Sequence, residues 1–249
     1  MPKYKSLFNV EGSLGEVTFY KSQDGYYLKT KSGVSKNRIM NDPSFARTRE
    51  NLEEFKNVAG AGKILRRAIT SLMTDAKDNR VTSRLTKVLS KVKNEDLTSA
   101  RGQRTVAIGI ATTAGKAWLR GFNFNKNALL DSILKAGFTL TIQTGEIVIA
   151  NINVKDQLTA PEGATNVSFS SGFLNLDFTT ALSDLQLSNV ENITIDNTER
   201  TITLTPAAAP TGDGQAYYFL KIEFYQEING VQYALNNGAF NALQLIQIV

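Results

Sequence analysis

Leu220-Lys221-Ile222-Glu223-Phe224, followed by Asn229-Gly230 and then Val231-Gln232-Tyr233-Ala234, is the stretch that decides how this chain folds. Leu220, Ile222 and Phe224 alternate with charged residues, the period-two pattern of a strand with one buried face. Asn-Gly tolerates the positive φ angles of a two-residue hairpin turn, so the segment predicts two antiparallel strands and a tight connection. Upstream, Phe138, Leu140 and Ile142 alternate with Thr139, Thr141 and Gln143; a turn at Thr144-Gly145 then leads to a strand over residues 147–152. Leu174, Leu176 and Phe178 continue the pattern, as do Ile193 with Ile195 and Ile202 with Leu204, and Leu243–Val249 reads as an apolar strand. About seven to nine short strands at regular spacing predict an immunoglobulin-like β-sandwich over residues 105–249. Residues 105–125 fit either a strand, from the alternation of Val106, Ile108 and Ile110, or a helix, from their Ala and Gly content. Trp118, Phe122 and Phe124 are the expected anchors of this domain's core.

The rest of the chain has another character. Residues 1–34 read as a β-hairpin arm, with Val17-Thr18-Phe19-Tyr20 going out, Asp24-Gly25 at the turn, and Tyr26-Tyr27-Leu28 returning. Gly12 and Gly15 mark a kink or bulge before it. A lone hairpin is marginal in water, so the arm needs something to pack on. Residues 35–104 read as a basic helical hairpin. Asp42-Pro43 is a helix start. Phe45, Leu52, Phe55, Ala59, Gly62, Leu65, Ile69 and Leu72 form one apolar stripe, and Ala59–Gly62 permits a close crossing. A second helix over residues 79–93 carries Val81, Leu85, Val88 and Val92. The expected class is therefore α+β.

The inventory narrows function. The chain of 249 residues has no Cys and no His. Thiolate chemistry, Ser-His-Asp catalysis and zinc sites built from Cys or His have no residues to use. The Ala59–Ile64 run is no Walker A motif, because Asn57 and Ile64 stand where Gly and Ser or Thr are required. No Asp-x-Asp-x-Asp-Gly loop suggests calcium. A non-enzymatic role with no cofactor, no metal and no evident small-molecule substrate is expected. No apolar run is long enough to span a membrane. Met1–Lys5 is not followed by an apolar h-region, so cytoplasmic synthesis is expected, with release in a particle or by specialised export left open.

Charge is unevenly placed. Residues 1–104 hold 21 Lys and Arg against 11 Asp and Glu, a net of +10; residues 105–249 hold 7 against 12, a net of −5. Arg80, Arg84, Lys87 and Lys91 make a basic stripe on the second helix, and Lys63, Arg66 and Arg67 extend it from the first. They are candidates for contact with an anionic partner or with another subunit; the plain alternative is a solvated helix face. Tyr20, Tyr26 and Tyr27, interleaved with Lys21 and Lys29 and joined by Tyr4, Lys3, Lys5 and Lys31, could stack on bases or pair across strands.

The run from Gly12 to Gly33, with Gly-Ser-Leu-Gly-Glu-Val-Thr-Phe-Tyr-Lys and Asp-Gly-Tyr-Tyr, and the following Asp42-Pro43-Ser44-Phe45-Ala46-Arg47-Thr48-Arg49-Glu50-Asn51, resembles Bacteroidota protein families. Those families open on a Gly-rich hairpin, continue into a basic helical segment and end in a β-domain. The resemblance implies a bacterial source and carries over no activity and no binding residue. The first expectation is a structural subunit that self-assembles into a filament, tail-like particle or other array. Its arm (Val17, Phe19, Tyr20, Tyr26, Tyr27) would add to a neighbour, and its oppositely charged halves would meet. Nucleic-acid binding by the basic segment is the alternative, and a surface or carbohydrate-binding adhesin a weaker one.

Overall fold

The computed structural model describes residues 9–30 and 33–249, apart from the side chains at 236 and 237. Tyr4, Lys3, Lys5 and Lys31, read above with the arm, lie outside the described residues. Two compact units divide the chain, one reaching to Arg49 and the other spanning Glu50–Val249.

The first unit holds an antiparallel meander of β1 (Gly12–Leu14), β2 (Val17–Ser22) and β3 (Gly25–Thr30). The expected hairpin thus has a third strand. Gly15, at φ 57°, supplies a left-handed turn that closes Leu14 on Val17 rather than a bulge. The pairing of Ser22 with Gly25 leaves Gln23 and Asp24 as the second turn. Helix α1 (Lys36–Asn41) follows, capped by Ser35, whose side chain accepts from Arg38 N. Asp42 is a cap as expected, accepting from Ser44 N, but it opens a 3-10 turn at Pro43–Phe45 ahead of the long helix.

Helix α2 (Ala46–Ala68) leads to α3 (Thr70–Met73) and α4 (Val81–Asn94). Helices α2 and α4 run antiparallel: Glu54 meets Lys93, while Gly62 lies against Leu85 and Leu89. A Cβ at Gly62 would stand 3.4 Å from Leu89 Cδ1, an ordinary contact distance, and one at Gly60 would meet nothing within 4 Å, so the crossing does not depend on the small-residue run. The apolar stripe of α2 differs from the expected one. Its second half, Gly62, Leu65, Ile69 and Leu72, is buried as expected, but in the first half Leu52 and Phe55 are exposed while Glu54, Val58 and Ala61 are buried. Glu54 is tolerated inside because Lys93 pairs with it and Gly102 N donates to it at 2.8 Å.

Residues 105–125 resolve as α5 (Val106–Ala111) and α6 (Thr113–Leu119). Two N-cap threonines decide this: Thr105 accepts from Ile108 N and Thr112 from Gly115 N. Gly109 lets α5 touch α4, since a Cβ there would lie 2.0 Å from the Val92 carbonyl oxygen. Trp118 is not a core anchor; it is 46% exposed, with its indole N–H donated to Glu95 Oε1 at 2.8 Å.

The remaining elements are α7 (Leu130–Ile133), β4 (Thr139–Leu140), β5 (Ile147–Asn153), α8 (Val154–Gln157), β6 (Asn166–Leu176), β7 (Ser183–Leu187), β8 (Glu191–Thr194), β9 (Glu199–Leu204), β10 (Gln215–Ile228), β11 (Val231–Ala234) and β12 (Ala242–Ile248). Asn229 and Gly230 take φ angles of 53° and 77°, and β10 folds back into β11 as the opening stretch predicts. Strand β10 pairs with β6 from Gln215↔Leu176 to Tyr225↔Asn166. Its other edge is shared by β12 and β11, while the far edge of β6 is shared by β7 and β8. This makes a curled six-stranded antiparallel sheet; β4, β5 and β9 form a separate small one.

Alternation along β10 sends Tyr217 and Phe219 toward the helices and Tyr218, Leu220, Ile222 and Phe224 toward the small sheet. One core joins Leu65, Leu85 and Phe124 to Leu174, Phe219 and Leu245; the second joins Ile149 and Leu204 to Phe169 and Phe224. Each fully buried aromatic contributes about 1.5–3 kcal/mol, so both faces of the sheet carry weight. This order does not define an immunoglobulin-like sandwich, because helices rather than a second large sheet cover one face. Strand β12 lies between β10 and residues 121–124: Gly121 N donates to Leu245 O, Phe124 N to Leu243 O, and Leu245 N to Phe122 O. No helix among the described residues is long and apolar enough to cross a membrane.

Candidate functional site

Helix α4 was expected to present Arg80, Arg84, Lys87 and Lys91 as one basic stripe. Arg80, Lys87 and Lys91 are exposed, but Arg84 leaves the stripe. Arg84 turns inward, pairs with Asp78, and donates to the carbonyls of Asn123 (2.8 Å) and Phe124 (3.0 Å), with its guanidinium 5.1 Å from the Phe122 ring centroid. It is a pin that holds residues 122–124 to the start of α4. Burial works against the Asp78 carboxylate, but hydrogen bonds from Lys126 N, Arg84 and Arg80 N outweigh it and hold its pKa below the usual value. Lys91 lies over the Trp118 ring at 4.1 Å, held by cation–π attraction. Lys87 is exposed, and Arg80 is the N-cap residue of α4, making no side-chain capping bond.

The other three cations come together. Lys63, Arg66 and Arg67, on the last turns of α2, line a groove of about 620 Å³. Its far side is the segment from Met73 to Asn79 and the first turn of α4, Val81 and Thr82. Lys77 joins from that segment; the sequence reading passed it over because it belongs to no periodic element. Asp75 and Asp78 also line the groove, the latter already neutralised by Arg84. Among the described residues no ion pair engages Lys63, Arg66, Arg67 or Lys77. Arg66 Nη1 is buried with no hydrogen-bond partner among them, and burial lowers the pKa of that guanidinium. An unpaired, partly desolvated cation is costly until an anion meets it.

Within the first unit, register assigns the arm residues to faces. Val17, Phe19, Tyr26 and Leu28 share one face with Leu14; Tyr20 and Tyr27 share the other. Tyr20 and Tyr27 stack at 5.9 Å, Lys29 lies 5.6 Å from the Tyr20 ring, and Lys21 lies 5.7 Å from the Tyr26 ring. The aromatic and lysine side chains of the arm thus pair across strands. No described residue from 9 to 49 is buried. Among the described residues no group of three or more His, Cys, Asp or Glu is placed to hold a metal ion.

No protein-family model, curated protein or solved structure matches the chain.

Proposed function

We propose that this protein is a non-enzymatic structural subunit that associates with copies of itself, its N-terminal meander docking on another copy to build a larger array. One observation carries the reading. Residues 9–49 form regular strands and a capped helix but enclose no buried residue, while register gathers Leu14, Val17, Phe19, Tyr26 and Leu28 on one face. A sheet of this size without a core is marginal alone, and a partner surface would supply the missing burial. Both cores of the second unit draw only on residues from Val58 to Ile248 and do not need the meander. Nucleic-acid binding along α4 has less support, because Arg84 at the middle of the stripe is already paired with Asp78.

Light scattering after size exclusion, with negative-stain microscopy across a salt series, tests the proposal. The full chain should be oligomeric, and a chain lacking residues 1–34 should be monomeric with an unchanged melting temperature. A strictly monomeric full chain at high concentration rejects assembly; oligomers that survive the deletion reject the arm's part in it.

A further inference from the structure

We infer that the groove between the end of α2 and the start of α4 binds a compact, multiply charged phosphate compound. The inference is independent of assembly. It rests on four cations that approach one concavity from two sides, Lys63, Arg66 and Arg67 from α2 and Lys77 from the loop opposite. None of the four is spent on an internal ion pair among the described residues. The only other charges on the lining are Asp75 and the Arg84-neutralised Asp78, so cations predominate.

The shape favours a small ligand over a nucleic-acid strand. A strand needs a groove of positive charge that follows its backbone. Along α4 the positive run is interrupted where Arg84 turns into the protein, and the exposed Arg80, Lys87 and Lys91 lie outside the groove lining. What remains is local and concave, with a volume several times that of one phosphate group. The chemistry favours phosphate. Guanidinium groups match its oxygens with paired N–H donors, and ammonium groups add point charge. The groove also abuts the first turn of α4, where the Asp78 carboxylate already accepts from Arg80 N at 2.7 Å, so the attraction comes from the side-chain cations and not from the helix end.

Isothermal titration of the full chain with tripolyphosphate tests this, using two charge-matched pairs of variants. Lys63→Gln with Arg67→Gln removes two groove cations; Lys87→Gln with Lys91→Gln removes two cations outside it. All four side chains are exposed, and thermal melts of both variants verify their folding. The expected result is saturable one-to-one binding, weakened about tenfold or more by the groove pair and less than about twofold by the outer pair. Equal weakening by both pairs would mean that only net charge matters and would overturn the site. So would the absence of saturable binding, or tight binding of a DNA fragment that both pairs weaken alike. Light scattering of the same variants separates this outcome from assembly, which the groove pair should leave unchanged.

Discussion

In the meander, Tyr20 stacks on Tyr27 and Phe19 pairs with Leu28, yet nothing is buried. In the body, Phe219 is fully enclosed, with Phe124 at 6.1 Å and strands paired on either side of its own. Both regions are antiparallel, both use aromatic residues across strands, and both turn on glycine. They differ in layers. Cross-strand pairs fix register and contribute a few tenths to about 1 kcal/mol each, whereas closing a layer over a sheet removes whole side chains from water. Regular secondary structure and burial are separate properties here, and among the described residues the body alone has both.

Four substitutions sharpen or break that contrast, from the largest expected effect to the smallest. Phe219→Ala should cost about 3–5 kcal/mol by opening a cavity between helices and sheet, lowering the midpoint of a calorimetric melt by roughly 10 °C. A change of only a degree or two would mean that the helical layer is not part of the body's cooperative core. Asp96→Ala should cost about 3 kcal/mol, because the carboxylate, fully buried, accepts from Thr98 N, Ser99 N and Thr105 N. Burial opposes its charge, but the hydrogen bonds from Thr105, Ser99 and Thr98 hold its pKa well below the usual value. Its contribution is therefore complete above the unfolded carboxylate pKa, about 4, and is lost as pH falls through the depressed folded value. Melts between pH 6 and pH 2 should show a shallower acid slope in the variant; equal slopes would reject Asp96 as a source of acid sensitivity.

Gly60→Ala should stabilise the body by about 0.5–1 kcal/mol, since the added Cβ meets nothing within 4 Å; chemical denaturation reads it, and a loss of stability would show that the position is covered in solution. Phe19→Asp should move the body's melting midpoint least, by less than about 2 °C, while abolishing the oligomer that the proposed assembly predicts in light scattering. A large drop in the midpoint would break the contrast, because the meander would then share the body's cooperativity.

The strands were legible because alternation and turn residues act over a few positions: Phe138 to Ile142, Asn229-Gly230 and Leu243 to Val249 all fall in or beside strands as read. The layering was not. Tyr217 and Phe219 face one way and Tyr218 and Leu220 the other, so the strand is buried on both sides. Reading Leu220, Ile222 and Phe224 alone suggests one buried face. The basic groove was half legible. Lys63, Arg66 and Arg67 lie on one helix at helical spacing, but Lys77 sits in an irregular loop. In sequence Arg84 reads as a surface cation because its partner, Asp78, precedes it by six residues, outside the helical i±4 pairing. Glu54 was missed for the same reason, since its partners Lys93 and Gly102 are distant in sequence.

Strand β12 has a consequence for the order in which the molecule can be made. Its Leu243 and Leu245 belong to the core under the helices and its Ala242 and Ile246 to the core under the small sheet. On one side it binds β10, on the other the carbonyls and amides of residues 121–124. During synthesis everything before it emerges from the ribosome first, yet neither core can close until this strand arrives. The body is therefore expected to fold after translation of Ile248 rather than piece by piece. A nascent chain stalled before Ala242 would expose the edge of β10 and the apolar faces of both layers together, a state for a chaperone to shield.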